Sequence, residues 1–521
     1  MFLAPARAVI SIASAVVNRV NVQAWTLRVI PPAGLLCGAR VRAAVATSPV
    51  RRVIGKAILT PWVQHVFGRL CEDREMADGV SRRTLLRGSA AALAGLTIGS
   101  DRAWASVPED NGSPEAEGDQ SNRRLRLGII GCGGKGWSGM QQAAEHGDVL
   151  AICDIDANNR SKASLEHPRA TTFDDYRQMF QAMRGKIDAV VISTPDHHHA
   201  IASALAMRQG LHTYCEKPLT RTIWEARQLA KIAREKGVAT QMGNHSTAST
   251  PMRKAAALIR SGAFGKAKEV HLWTDRAGGW WKQGHTRRDP AQPPKPVDFE
   301  VWLGPAPERP YAQGYHPFAW RGWWDFGTGS LGDMGCHIFN MPFMALDLRD
   351  PIAVRAETSG HNRDSFPESS TVYYEFPERR GRSAINLTWY DGGRKPDASL
   401  APGFTFGGNG CIVVCEKATI YSPDESNTQF MLVGGGTMPD IQVDESPGHM
   451  AEFARAALGG KPAVSNFPNY AGPLTETVLL GNLAIWANGP RLEWDAGRMQ
   501  VKGTNQFDSL IRPTYRPGWS L

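Results

Sequence analysis

Residues 125–136 constrain this chain more than any other stretch. Leu125–Ile130 is a short apolar run with strand character, and it leads straight into Gly131-Cys132-Gly133-Gly134-Lys135-Gly136. A G-x-G-x-x-G run between a strand and a helix is a turn made for close approach. Gly131 permits the tight turn, Gly133 lets backbone come near a pyrophosphate, and Gly136 lets the next helix pack on the strand. The helix N-terminus then offers free N–H groups and a partial positive charge to phosphate. The following run, Val149–Cys153, ends at Asp154, 18 residues after Gly136. A carboxylate there accepts from ribose hydroxyls and repels a 2′-phosphate, and no Arg follows it directly. The pattern predicts a dinucleotide site that takes NAD in preference to NADP.

The rhythm continues as a strand–helix alternation. Candidate strands are Leu125–Ile130, Val149–Cys153, Ala189–Ser193, His212–Cys215 and Val238–Met242, with helices such as Ile201–Gln209 and Ile223–Lys236 between them. Strands separated by helices imply a parallel sheet. After about Asn244 the runs lengthen and often alternate, as in Ala267–Thr274, Ser370–Phe376, Ser383–Trp389 and Gly410–Val414. The expected class is α/β: an N-terminal Rossmann dinucleotide-binding domain over 123–245, then a C-terminal α+β domain over 246–521 with a large mixed or antiparallel sheet.

The formal charge of +9 suggests nucleic acid or an anionic surface until it is located. Residues 1–75 carry ten basic against three acidic groups, and residues 76–105 four against two, leaving 45 of each beyond. The body is neutral, so no nucleic-acid partner is expected. Ser81-Arg82-Arg83-Thr84-Leu85-Leu86-Arg87 precedes the small apolar run Ala90–Ile98 and Ala103-Trp104-Ala105, the layout of a secretory signal with its cleavage site. The Arg82-Arg83 pair reads as a twin-arginine address, so 76–105 is expected to be a signal peptide for export to the periplasm through the twin-arginine machinery. Uncleaved, it would act as a membrane tether. Met76 just before it suggests that synthesis starts there and that 1–75 is a mis-assigned extension. Residues 106–122, acidic and rich in Pro and Gly, read as a linker. No later stretch is apolar over the length of a membrane span. The eight cysteines form no CxxC and no zinc spacing, so neither a metal nor a disulfide framework is expected.

Two strand ends carry further signals. Thr194-Pro195-Asp196-His197-His198-His199 follows one strand, and Glu216-Lys217-Pro218 the next. Strands of an open parallel sheet end at the ligand crevice, so both should face the cofactor. Oxidising an alcohol needs a base for the hydroxyl proton, and burial with nearby cations would lower the pKa of Lys217 toward that task. Asp333 and His337 are four apart and share a face if helical. With the glycine loop, these segments and Gly332–His337 resemble the glucose–fructose oxidoreductase/inositol dehydrogenase/rhizopine-catabolism (Gfo/Idh/MocA) family over roughly 123–521. Its D-x-x-x-H motif normally continues to an Asp, where this chain has Asn340.

The resemblance implies Lys217 and His337 as an acid/base pair, with Asp333 orienting substrate or His337. It also implies that Thr194, Pro195, His197, His199, Glu216, Lys217, Gln241 and Asn244 contact the cofactor, that His198 faces solvent, and that copies pair through the second domain's sheet. Three adjacent histidines cannot converge on one metal. Trp273, Trp280, Trp281, Trp302, Trp320, Trp323 and Trp324, seven of the 16 tryptophans, form a belt leading into Asp333. Part is expected to be core and two or three residues to border the crevice, where flat rings suit a sugar. Arg321 within it is a candidate contact for substrate. Segments Gly472–Glu476 and Tyr515–Trp519 read as structural. The resulting expectation is an NAD-dependent oxidoreductase acting on a sugar, cyclitol or derivative. The alternatives are an NAD-dependent glycosidase working by transient oxidation and elimination, and a non-catalytic NAD or sugar binder.

Overall fold

The computed structural model describes residues 123–521 apart from Arg380. The extension, signal and linker segments over 1–122 lie outside the described residues. The first sheet has six strands, β1 (Leu125–Ile130), β2 (Gly147–Cys153), β3 (Thr171–Phe173), β4 (Ala189–Ile192), β5 (His212–Cys215) and β6 (Thr240–Met242), in the order β3-β2-β1-β4-β5-β6. Every pairing is parallel. The order reverses between β1 and β4, which opens a crevice at the strands' C-terminal ends. β1 and β4 are apolar and almost wholly buried because helices cover both faces.

Helices α1 (Lys135–Ala144), α2 (Ala157–Glu166), α3 (Tyr176–Ala182), α4 (Asp196–Arg208) and α5 (Ile223–Lys236) make the crossovers. In α5 the ends are written in the sequence. Thr222 and Glu225 form a capping box, and Gly237 stops the helix at φ 61°. α4 starts five residues before the expected Ile201. Pro195 precedes it and Asp196 occupies its first turn, so the histidine run is helical rather than a loop.

The second sheet runs β13-β12-β11-β7-β10-β9-β8-β14-β15. Its strands are β7 (Ala267–Thr274), β8 (Ala353–Thr358), β9 (Ser370–Phe376), β10 (Ile385–Tyr390), β11 (Asn409–Cys415), β12 (Thr419–Ser422), β13 (Met431–Leu432), β14 (Leu492–Asp495) and β15 (Gln500–Val501). β7 pairs parallel with β10 and antiparallel with β11, so the sheet is mixed. On this side lie α6 (Thr250–Arg260), α7 (Gly329–Ile338), α8 (Asn340–Leu346), α9 (His449–Ala457) and α10 (Gly472–Ala487).

α10 is apolar around most of its circumference because it is buried between elements of both domains. Its buried Glu476 receives Arg227 Nε of α5 at 2.7 Å, and Thr475 Oγ1 accepts the Leu219 N–H. The chain then returns to the first domain. Phe453 and Met450 of α9 join the core around β1, and Tyr515 donates to Glu225 Oε1 at 2.8 Å.

Candidate active site

The glycine loop has the geometry its sequence implies. Gly131 sits at φ 81°, and a Cβ there would lie 2.5 Å from the Ser193 carbonyl oxygen. At Gly136 a Cβ would lie 2.1 Å from the Gly131 oxygen, and at Gly133 it would meet the Asn159 amide. Gly136 thus packs helix on strand, while Gly131 and Gly133 border a cavity of about 930 Å³. Asp154 directly follows β2 and lines this cavity. Its Oδ2 accepts the Cys132 N–H and its Oδ1 the Asp156 N–H, each at 2.9 Å, which fixes the carboxylate against the loop.

Further along the same cavity, Thr194 Oγ1 and both Glu216 carboxylate oxygens are buried without a hydrogen-bond partner. Lys135 Nζ stands 3.8 Å and His245 Nε2 3.7 Å from Glu216. Burial pushes the Glu216 carboxyl up, but His245, Lys135 and Lys217 overcome it and hold the pKa at about 2. Unpartnered acceptors and donors beside a phosphate-binding turn fit a ligand rich in hydroxyls, phosphates and amides, as a dinucleotide is. Lys135 and His245 were not singled out in the sequence. Their positions inside the glycine loop and directly after Asn244 are the only signals that could have found them.

The cavity also meets α7. The Lys217–Pro218 peptide is cis, and Lys217 Nζ donates to Asp333 Oδ1 at 2.8 Å and to the Asp333 carbonyl at 3.1 Å. Arg321 Nε reaches the same Oδ1 at 3.2 Å. Burial raises the Asp333 carboxyl, but Lys217 and Arg321 outweigh it and hold its pKa at about 2. The group facing Lys217 is therefore a carboxylate, not the cationic neighbours expected. His337 lines the cavity one helical turn on, as the four-residue spacing requires. Burial and the Lys217 cation lower its pKa to about 3, so its imidazole is neutral at pH 7.

The three histidines differ from expectation. None faces solvent. His198 is buried, with Nε2 on the Trp302 carbonyl at 2.8 Å and Nδ1 on Tyr176 Oη at 3.1 Å, and it lines the cavity. His197 points into the aromatic core toward the Trp302 and Phe326 carbonyls, away from the cavity wall. His199 places both ring nitrogens on carbonyl oxygens, Pro218 at 2.8 Å and Thr194 at 2.9 Å. A protonated His199 ring would donate to both. Burial opposes that charge, yet the Cys215 sulfur, the Asp196 carboxylate and the Pro218 carbonyl hold its pKa up at about 10. His199 thus ties the Thr194 and Lys217–Pro218 loops together from behind.

Gln241 and Asn244 are fully buried and also stand behind the wall. Gln241 Nε2 donates to the His449 carbonyl, and Asn244 Oδ1 accepts from Ser465 Oγ. Asn244 Nδ2 in turn reaches Asn340 Oδ1 at 3.3 Å. Asn340 is itself a junction. Its Nδ2 donates to Ser246 Oγ at 2.9 Å and Thr247 Oγ1 at 3.1 Å, while its Oδ1 accepts from Tyr470 Oη at 2.5 Å. A carboxylate could not make the two donations. Asn340→Asp is expected to lower stability by about 3 kcal/mol, since it strands buried polar groups. An unchanged denaturation midpoint would show that the amide's donor role is unimportant.

The aromatic belt divides. Trp273, Trp302, Trp320 and Trp323 are buried, and Trp302, Trp320 and Trp323 form one cluster with Tyr311, Tyr315 and Phe326. Trp280, Trp281, Trp302, Trp320 and Phe318 border the cavity. Arg276, which the sequence reading passed over, lies across Trp280 and pairs with Glu425 at 3.1 Å. Among the described residues, no group of His, Cys, Asp and Glu is placed to hold a metal.

Residues 125–244 match the NAD-binding Rossmann-fold domain of an oxidoreductase family, and residues 248–386 match that family's C-terminal α/β domain. A glycosyl hydrolase family 109 protein of Saccharopolyspora erythraea is 30% identical over 213 residues, covering 37% of this chain and 45% of that protein. The chain spans about half the length of the curated relatives it matches. The WlbA dehydrogenase of Chromobacterium violaceum, solved with NADH and UDP-GlcNAcA, shares the fold at a TM-score of 0.52, with 15% identity, over 72% of this chain and 97% of that one. An inositol dehydrogenase homologue of Azotobacter vinelandii, solved with NADH and myo-inositol, does so at a TM-score of 0.50, with 17% identity, over 72% of this chain and 98% of that one. Two domains of the Gfo/Idh/MocA oxidoreductase family are thus matched in their order, over residues 125–244 and 248–386 of this chain.

Proposed function

We propose that the protein transfers hydride between bound NAD and a ring hydroxyl of a sugar, cyclitol or derivative, with Lys217 and His337 as its acid/base pair. The observation that carries this reading is the Lys217–Asp333 pair at 2.8 Å, shared with Arg321, on the same cavity as the glycine loop and His337. Gly131, Gly133, Asp154, Thr194, Pro195 and Glu216 would hold the cofactor, which when bound supplies a hydride acceptor and donor. Lys217, held against Asp333, donates a hydrogen bond to the substrate oxygen and stabilises the negative charge that develops there. The neutral His337 imidazole is the acceptor placed for the proton, and negative charge forming on the substrate oxygen beside it would raise its basicity for that step. Two cations around one carboxylate leave a positive excess where an alkoxide forms.

A second reading is favoured by the glycosyl hydrolase relatives. After the ring hydroxyl is oxidised, the adjacent C–H becomes acidic and a base removes that proton. The glycosidic bond then breaks, water adds, and hydride returns to the ring carbon, so no net oxidation results. A binding-only protein has no need of Lys217, Asp333 and His337 together.

The Arg82-Arg83 segment supports export of the folded chain to the periplasm by the twin-arginine route. No helix among the described residues is long and apolar enough to cross a membrane. An exported enzyme draws on no cytoplasmic NAD pool, so its cofactor would be retained from folding onward. Assembly of copies through the nine-stranded sheet rests on the family resemblance alone.

The test is to give the NAD-supplied full chain free sugars, cyclitols and aryl glycosides, following NADH absorbance and aglycone release together. Net NADH supports the first reading. Aglycone release without net NADH supports the second. Saturable binding with neither signal would overturn both.

A further inference from the structure

Among the described residues, four large hydrophobic side chains stand out as exposed: Leu165, Ile352, Trp280 at 52% and Phe318 at 44%. The last two are neighbours, with ring centroids 6.4 Å apart, and both border the cavity that holds Lys217 and Asp333. Single exposed apolar residues are ordinary, but a contiguous pair on the rim of a reactive cavity is not. Both rings are also held in place. The Arg276 guanidinium lies 4.5 Å from the centre of Trp280, and that of Arg321 lies 4.7 Å from Phe318 and 4.1 Å from Trp320. A ring fixed before its ligand arrives loses little conformational freedom on binding.

Arg321 gives the rim its distance from the chemistry. The same guanidinium that covers Phe318 donates from Nε to Asp333 Oδ1 at 3.2 Å. One guanidinium therefore separates the catalytic carboxylate from the exposed rings. A sugar whose hydroxyl sits between Lys217 and His337 occupies the inner end, and whatever is attached to it runs out along Arg321 to the rim.

The charges at the rim say what that attachment is. Arg276 is committed to Glu425 at 3.1 Å, and Arg321 to Asp333. Glu425 borders the cavity alongside them. Neither of the two arginines that line the cavity here is left over for a diphosphate, so a neutral group with a flat apolar face is favoured. The C–H face of a pyranose is such a group.

We propose that Trp280 and Phe318 form a stacking subsite for a second, neutral sugar ring, so that the substrate class is a disaccharide or larger glycoside rather than a free monosaccharide. This rests on the sugar-hydroxyl reading above. It explains why one pair of the aromatic belt is left in solvent while its neighbours are packed as core.

The experiment measures calorimetric binding to the NAD-supplied full chain for matched pairs: methyl glycosides of glucose, galactose and N-acetylglucosamine, and the disaccharides carrying the same non-reducing sugar. UDP-glucose is the charged control. For the pair that binds, the disaccharide is expected to bind about tenfold more tightly than its methyl glycoside, the value of one good stacking contact. The Trp280→Ala/Phe318→Ala double variant is expected to erase that preference and leave the methyl glycoside within about twofold. Equal binding of both members, equal loss of both in the variant, or a preference for UDP-glucose would overturn the subsite while leaving the sugar reading in place. Failure of every sugar to bind would overturn the sugar reading, and the subsite with it.

Discussion

Replacing Lys217 by alanine is expected to lower turnover by about a thousandfold while NAD affinity stays within about twofold. Lys217 is the direct partner of the Asp333 carboxylate at 2.8 Å, and in the proposed reaction it would meet the charge developing on the substrate oxygen. Removing one preorganised donor of this kind costs roughly two to three orders of magnitude in rate. Gly131, Gly133 and Asp154, which would hold the cofactor's phosphates and ribose, make no hydrogen bond to Lys217, so their contacts would survive. The substitution also leaves Arg321 Nε beside the buried Asp333 carboxylate at 3.2 Å. Steady-state kinetics with a separate NAD titration measure both quantities. Undiminished turnover would remove Lys217 from the chemistry, and a parallel loss of NAD affinity would make its role structural.

Gly131→Ala should weaken cofactor binding severely, and a matched control separates the cause. Gly131 and Gly210 share the same backbone angle, φ 81°. An alanine at either carries the left-handed strain of about 1–2 kcal/mol. At Gly210 a Cβ meets nothing within 4 Å, whereas at Gly131 it lands 2.5 Å from the Ser193 carbonyl oxygen, which belongs to the backbone and cannot rotate away. Gly131→Ala is therefore expected to cost about 3 kcal/mol in all and to weaken NAD binding by about a hundredfold or more, as the loop is pushed off β4. Gly210→Ala should lose only the strain and keep its NAD. Equal NAD affinity in the two variants would show that the turn does not cradle the cofactor.

Where local pattern decides structure, the sequence reading matches the coordinates closely. β1, β5, β7 and β9 and helix α5 have the expected boundaries. Each is a run whose apolar spacing or caps are complete within a dozen or so residues. β3 went unseen because Thr171–Phe173 is three residues long and partly exposed, so it carries no apolar run. The start of α4 was missed because three histidines after a proline give no helical periodicity.

The site divides along the same line. Spacing alone was enough to put Asp333 and His337 on one helical face, and the glycine loop encodes its own turn. The ring of His197, by contrast, is placed by the carbonyls of Trp302 and Phe326, more than a hundred residues away. Gln241 and Asn244 are drawn off the cavity wall by His449 and Ser465, more than two hundred residues later. The salt bridge that redefines Lys217 spans 116 residues. Short-range pattern carries no trace of such partners.

The most direct test of the account is to purify the full chain without added nucleotide, denature it, and analyse the released small molecules by mass spectrometry for nicotinamide cofactor. Stoichiometric NAD or NADH is expected, retained by the glycine loop, Asp154 and Glu216. A protein that is empty and also fails to bind added NAD would contradict it, and would remove the dehydrogenase and glycosidase readings together.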